Sequence, residues 1–329
     1  MPTISHTEVS AYRRCQKAWW YRYDRRIKRD FKGVRLVRGE ILHEMLNTYV
    51  KQKMIKGYSG PDPWVVLDKY AEEYATYFEA EKELHGDIVG DCGKIFEGYL
   101  RKWRKDPLKY EASELDLFFD LPGTSLRFAG FIDKVATDRE GRRWLVDHKF
   151  VATIPTANDQ FMELQLLLYV WALSLHKPEL KIDGVMWDYA RAKAPTEPEI
   201  LKSGELSKRK NIDCDVYTYR NAIRKAKLNE ADYTDMLEML EGKEDTFFQR
   251  SFLPKPSANM IDEVVKDFMA TAAEIQEKRK PKARCVRSMS SFNCNSCEFR
   301  PLCEAEVRGH DTDFILKSEY VERGVAESK

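Results

Sequence analysis

The sequence predicts an α/β fold, and three observations predict it. The first hundred or so residues carry apolar side chains at helical spacing. Residues 115–150 then switch to short β-rich runs. A strongly apolar helix follows and leads into one more strand.

Taken in order, Ser5-His6-Thr7-Glu8 has the spacing of a capping box, and an amphipathic helix is expected to run on to about Tyr23. Helices are also expected over Gly39 to Lys56, Trp64 to Glu83 and Ile88 to Lys105. Leu115 to Leu121, Ser125 to Thr137 and Arg142 to Phe150 read as a three-stranded meander, punctuated by Pro122-Gly123 and by Asp138-Arg139-Glu140-Gly141. The apolar helix covers Asn158 to Leu175, and the next strand covers Ile182 to Tyr189. Residues 191–210, with Pro195, Pro198 and Gly204, read as a loop. The chain to Arg279 reads as charged and largely helical, broken near Phe252-Leu253-Pro254-Lys255-Pro256. A cysteine-bearing segment and a loose tail of about 20 residues end it, and there is no internal repeat or low-complexity tract.

With 43% hydrophobic and 33% charged residues, this is the composition of a globular chain. No apolar run approaches the length of a membrane span, and the N-terminus lacks a signal-peptide core, so a reducing cytoplasm is the expected compartment. The net charge of +1 conceals a very uneven distribution. Residues 1–38 hold eleven Lys or Arg against three Asp or Glu, and Lys278 to Arg287 hold six basic residues and no acid. Two basic blocks on a neutral chain suggest a face for a polyanion, although solvated helix faces read the same way.

The chemistry centres on Gly130-Phe131-Ile132-Asp133 and, after the turn, Trp144-Leu145-Val146-Asp147-His148-Lys149. Two adjacent strands each deliver a carboxylate, and side chains at i and i+2 share a face, so Asp147 and Lys149 point together while His148 points away. Paired carboxylates suit a hard divalent cation, and an ammonium beside them can orient water and steady a phosphate. Four other acid-x-lysine tripeptides begin at Asp30, Glu179, Glu241 and Glu327, but only Asp147 ends an apolar strand with an aspartate on its hairpin partner. His43, in Arg38-Gly39-Glu40-Ile41-Leu42-His43, offers an imidazole donor. Gln165 and Tyr169 lie one turn apart on an otherwise apolar helix and need polar partners.

The ordered set Gly-x-x-x-His, Gly-x-x-Asp, Asp-x-Lys and Gln-x-x-x-Tyr resembles the RecB/AddB-type PD-(D/E)xK nuclease module, shared with CRISPR-adaptation nucleases. The resemblance covers residues 5–50, 110–175 and the C-terminal cysteines. It implies a restriction-endonuclease-like core, a central mixed sheet flanked by helices. It implies Mg²⁺ or Mn²⁺ on His43, Asp133, Asp147 and the backbone carbonyl of His148. Lys149 then assists the water, and Gln165 and Tyr169 support the site and DNA. A single nuclease domain is expected over residues 1–308: a helical part (1–105), a catalytic sheet core (106–190), a helical insertion (191–280), and a basic segment with the cysteines (281–308). The tail would be 309–329.

Seven cysteines in a reducing compartment invite a metal reading. Two residues separate Cys294 from Cys297 and five separate Cys297 from Cys303, with Pro301 stiffening the turn. Zinc and iron–sulfur clusters both take four ligands, and spacing leaves the fourth open among Cys15, Cys92, Cys214 and Cys285. The resemblance chooses Cys15, within Tyr12-Arg13-Arg14-Cys15. It implies a [4Fe–4S] cluster on Cys15, Cys294, Cys297 and Cys303, with zinc the alternative. Such a staple would bring both basic blocks together, as a DNA channel requires. Of Trp19, Trp20, Tyr21 and Tyr23 some are expected in the core, and one or two, among Arg22, Arg25 and Arg26, would offer stacking surfaces for unpaired bases.

The expected function is a DNA nuclease, an exonuclease on single strands or ends, with roles in repair or recombination or an origin in phage. Its alternative is an accessory DNA-binding subunit of a repair or CRISPR-adaptation complex, with a structural metal cluster. No phosphate loop of the Gly-x-x-x-x-Gly-Lys type occurs, which excludes a helicase motor of that kind in this chain.

Overall fold

The computed structural model describes residues 1–254 and 256–324. Strand β1 (Thr3–Ile4) precedes α1 (His6–Arg14), α2 (Gln16–Trp19) and a π-helical turn (Trp20–Asp24). Next come β2 (Ile27–Arg29), α3 (Val34–Met54), α4 (Pro63–Ala75), α5 (Glu79–His85) and α6 (Ile88–Lys102). The meander is β3 (Lys109–Asp120), β4 (Arg127–Thr137) and β5 (Arg143–Val151), and α7 (Ala157–Phe161) and α8 (Gln165–His176) cross over to β6 (Gly184–Arg191). After α9 (Val216–Lys225) and α10 (Thr234–Glu241), β7 (Phe248–Pro254) and α11 (Ala258–Lys278) return to the core. The chain closes with α12 (Ser291–Cys294), α13 (Arg300–Arg308), α14 (Asp313–Glu319) and β8 (Tyr320–Glu322).

The result is a six-stranded mixed sheet between helices, as expected. Strand β4 is its pivot. Along one side it pairs antiparallel with β3 from end to end, Asp120 opposite Arg127 and Lys109 opposite Thr137, with one register shift between Tyr110 and Ala112. Along the other it meets β5 only from Lys134 to Thr137, and β1 only at Arg127 and Phe128. The sheet therefore forks at Asp133. Ile132 and Val135, three apart, both enter the core on the α8 side, so the alternation slips once between them. Opposite the slip, Glu114 of β3 takes a left-handed φ of 51°. Beyond the fork β5 runs parallel to β6, Asp147 beside Trp187, and β6 runs antiparallel to β7.

Helices cover both faces. On one, Leu166, Leu168 and Ala172 of α8 and Phe268, Ala272 and Ile275 of α11 pack with Phe128, Leu145 and Val185 of the sheet. On the other, Ile41 and Met45 of α3 and Phe96 of α6 pack with Ala190 and Phe248. Residues 206–240 build a small core of their own around Tyr219, Ile223, Tyr233 and Leu240.

Several expected elements are corrected. The N-terminal helix does not run to Tyr23. It breaks at Cys15, whose backbone is extended (φ −164°, ψ 111°), because Arg14 is drawn to Asn293 O (2.8 Å) and Ser296 Oγ (3.0 Å) of the C-terminal segment. The expected helices at Trp64–Glu83 and Asn158–Leu175 are each two helices, α4 with α5 and α7 with α8, and α3 begins five residues before Gly39. The stretch expected to be largely helical before Arg279 contains β7, whose partner β6 lies some 60 residues upstream. The expected loose tail instead forms α14 and β8, and β8 pairs antiparallel with β2. Lys255 of the expected break, Glu327 and the last residues of the tail, 325–329, lie outside the described residues.

Candidate active site and thiol cavity

The hairpin that carries the carboxylates is built by Asp138, whose Oδ1 accepts the Glu140 and Arg142 amides (3.0 and 2.9 Å) and whose Oδ2 accepts Trp144 Nε1 (2.9 Å). Gly141 takes the left-handed φ of 80° that this turn needs. At the fork, Asp133 Oδ2 accepts the His148 amide (2.7 Å), so a side chain replaces the missing ladder bond between β4 and β5. His43 of α3 reaches the same oxygen from the other face of the sheet, its Nδ1 at 3.7 Å.

Asp147 and Lys149 do point together, with Lys149 Nζ 3.0 Å from Asp147 Oδ2. Lys149 Nζ also donates to Gln165 Oε1 (3.0 Å), and Gln165 Nε2 donates to Tyr169 OH (3.0 Å), which joins the four residues in one chain of contacts. Gly130 makes room for it. A Cβ there would lie 3.1 Å from the Tyr169 ring and 2.9 Å from that of Phe128, which explains the glycine three residues before Asp133.

Burial pushes the Asp147 carboxyl up to about 7; Lys149 opposes the shift and Asp133 adds to it. Burial alone would lower Lys149, but the adjacent Asp147 outweighs it and raises it. Burial lowers His43, partly offset by Asp133, which favours the neutral imidazole that can act as a donor to a cation. A buried carboxylate with a second one near enough to raise it further is the chemistry a divalent cation relieves. The donor set thus fits Mg²⁺ or Mn²⁺. Among the described residues, however, no group of three or more His, Cys, Asp or Glu side chains is already drawn in around one ion position.

Two residues near this site were not anticipated. Glu163, in the turn between α7 and α8, adds negative potential at Asp147 and Lys149. His6, at the start of α1, is pushed down to about 4 by burial and then by Lys149 and Arg13. Neither stands in a motif whose spacing marks it, since each reaches the site only through packing of α1 and α8 on the sheet.

His148 points away, as expected, into a buried charged network on the opposite face. Its Nδ1 lies 3.6 Å from Asp188 Oδ2, which also accepts Tyr99 OH (2.6 Å) and Arg250 Nε (3.3 Å). Arg250 continues to Asp106 (2.6 and 3.0 Å). Burial pushes His148 well down and Lys134 down to about 8, and the contacts of Asp188 with His148 and Arg250 tie β5, β6 and β7 together behind the two carboxylates. Lys134 and Asp188 occupy strands whose apolar character gave no warning of this.

The second locus is a cavity of about 550 Å³ lined by Cys15, Cys294, Cys297 and Cys303 together. The extended backbone of Cys15 faces it, and Ser288 N donates to Cys15 Sγ (3.5 Å). Cys285 lies in a different cavity. Cys92 and Cys214 are buried in separate cores, where burial pushes both thiols up to about 12 and keeps them protonated.

The sequence model of the PD-(D/E)XK nuclease superfamily matches residues 3–304. The chain belongs to that superfamily. The match spans both loci, and nucleases of this superfamily typically use Mg²⁺ or Mn²⁺. No curated protein matches the chain. Among solved structures, the crystal structure of SSO0001 is 12% identical, covers 82% of this chain and 95% of its own, and has a TM-score of 0.32. No helix among the described residues is long and apolar enough to cross a membrane.

Proposed function

We propose that the chain is a metal-dependent DNA nuclease, acting as an exonuclease on single strands or DNA ends, with residues 1–308 as one nuclease unit. The observation that carries this is the fork itself: Asp133 and Asp147 on diverging strands, with Lys149 held between Asp147 and Gln165. Asp133, Asp147, His43 and the His148 carbonyl would hold Mg²⁺ or Mn²⁺. The ion would supply a water of lowered pKa and neutralise charge on the scissile phosphate. Lys149 has one partner on each side, so its ammonium is fixed where it can orient the attacking water and meet a phosphate oxygen. Gln165 holds Lys149 and is itself held by Tyr169, so these two position rather than react. Cys15, Cys294, Cys297 and Cys303 would hold a [4Fe–4S] cluster, a choice supported by four thiols on one cavity while Cys285 lines another.

The test is purified protein with end-labelled single- and double-stranded DNA, with and without Mn²⁺ or Mg²⁺. Metal-dependent release of nucleotides from an end is expected, abolished by Asp147→Ala and by Lys149→Ala. His43→Ala should lower activity, with partial recovery at high Mn²⁺. DNA left intact at every metal concentration would overturn the reading.

A further inference from the structure

We infer that the cavity beside the thiol cavity is a binding site for the phosphate backbone of a single nucleic-acid strand; this deepens the nuclease reading and rests on it. The cavity measures about 390 Å³, the size of a small-ligand pocket, and has two walls. One is α2 and the π-helical turn, contributing Lys17, Trp20 and Asp24. The other is the loop after α11, sewn to α2 by Lys17 N to Val286 O (3.1 Å) and Val286 N to Gln16 Oε1 (3.2 Å). The walls are the two basic blocks of the sequence, brought face to face.

Charge bookkeeping decides what enters. Lys17 and Arg287 share one carboxylate, Glu306, at 2.9 and 2.5 Å. Arg279 pairs with Glu8 (2.7 Å) and Lys280 with Glu277 (2.5 Å). Lys278 donates only to the Arg284 carbonyl (2.9 Å), and the Lys282 and Arg284 side chains meet no carboxylate among the described residues. Asp24 is the one acid in the lining. Seven cations therefore face four carboxylates, leaving an excess of three positive charges in a concave site. A concave site with such an excess concentrates anions, and only a polyanion offers several charges at once. Trp20 stands in the wall with Lys17 Nζ 4.0 Å from its ring, which holds that ammonium in place at the cavity. Arg287 lines both this cavity and the thiol cavity, so the two adjoin.

The test is fluorescence anisotropy of a labelled single-stranded oligonucleotide, titrated without divalent metal at several salt concentrations, using full-length protein. The variant is Lys282→Asn with Arg284→Gln. Both side chains are exposed, and Asn tolerates the left-handed backbone of Lys282 (φ 66°). Binding should weaken on the order of tenfold, and the slope of log K against log salt should fall by about 1.4, two charges at roughly 0.7 each. Cleavage at saturating DNA should be unchanged, since neither residue belongs to the active site. Unchanged affinity and slope would overturn the proposal, as would protection by inorganic pyrophosphate with no effect of the variant on oligonucleotide binding. A wild type that binds DNA through this site but never cleaves it would sink the nuclease reading and leave the pocket standing.

Discussion

Asp147 carries a conflict that the rest of the site is arranged around. It is buried beside Lys149, with Asp133 near enough to raise it further, so without a cation it favours its protonated form up to about pH 7. The sign follows from linkage. The folded carboxyl is raised above its unfolded value, so the native state binds the extra proton, and stability falls as pH rises from about 4 through about 7. Asp147→Asn should therefore flatten this dependence, its stability relative to wild type being higher at pH 8 than at pH 4, against a constant cost from leaving buried Lys149 without its ionic partner. Mg²⁺ should raise the melting temperature of the wild type and not that of the variant. Thermal melts at the two pH values, with and without Mg²⁺, check both statements, and an equal difference from wild type at pH 4 and pH 8 would contradict the assignment. Gln165→Leu should act differently, because it leaves the carboxylates intact and frees Lys149. A loss in kcat of ten- to a hundredfold with little change in the Mn²⁺ concentration needed is expected in metal-titrated kinetics. These residues were legible in the sequence because strand alternation is local: Asp147 and Lys149 share a face wherever β5 is packed.

At the scale of elements, the fork between β4 and β5 and the break at Cys15 are where the fold makes its sites. The fork needs Gly130, since a methyl group there would press on Tyr169 and Phe128. Gly130→Ala should cost about 1–3 kcal/mol from overpacking and lower activity along with Gln165→Leu, the two effects being less than additive because both act on Lys149, Gln165 directly and Gly130 through Tyr169 and Gln165. A double-mutant cycle measures this. The break at Cys15 turns a residue that a continuous helix would carry along its side into one facing a cavity with three other cysteines. Anaerobically purified wild type should contain iron, Cys15→Ala should lose it as completely as Cys297→Ala, and Cys285→Ala should retain it. Metal analysis with visible absorbance decides. Stoichiometric zinc in a colourless wild type would refute the cluster, and iron retained without Cys15 would refute the ligand set.

The whole molecule is closed by its two ends. β8 pairs with β2, Arg29 bonds Glu319 (3.0 Å), and Tyr320 stacks on Phe299 next to Tyr21 under the thiol cavity. Burial leaves Tyr320 only 6% exposed. Tyr320→Ala should cost about 2–4 kcal/mol as a large-to-small change in this small core. Removing residues 309–329 should expose the segment around the π-helical turn to protease while the sheet persists. Limited proteolysis with far-ultraviolet circular dichroism tests this: uniform unfolding, or no new cleavage, would each contradict it. A segment that reads as tail by composition thus packs, through Tyr320, against Phe299 and Tyr21 beside the second locus.

What the sequence determined by itself is whatever depends on neighbours a few residues away. Ser5 does cap α1, accepting Glu8 N at 3.2 Å, and the meander, its Asp138 turn, the face shared by Asp147 and Lys149, and the tight cluster of Cys294, Cys297 and Cys303 all follow from local spacing. Even so, the reciprocal arm of the cap was legible only as spacing. Glu8 bonds Trp19 Nε1 (2.8 Å) and Arg279 instead, because a partner far along the chain competes for it. Tertiary structure alone decided the rest: where the sheet forks, that His43 meets Asp133 from the opposite face, that Cys15 lines a cavity with Cys294, Cys297 and Cys303, that β7 is a strand, and that the last helix and strand form. The physical reason is the same in each case. Periodicity reports that a side chain is buried or paired, but the partner lies tens to hundreds of residues away, and only packing selects it.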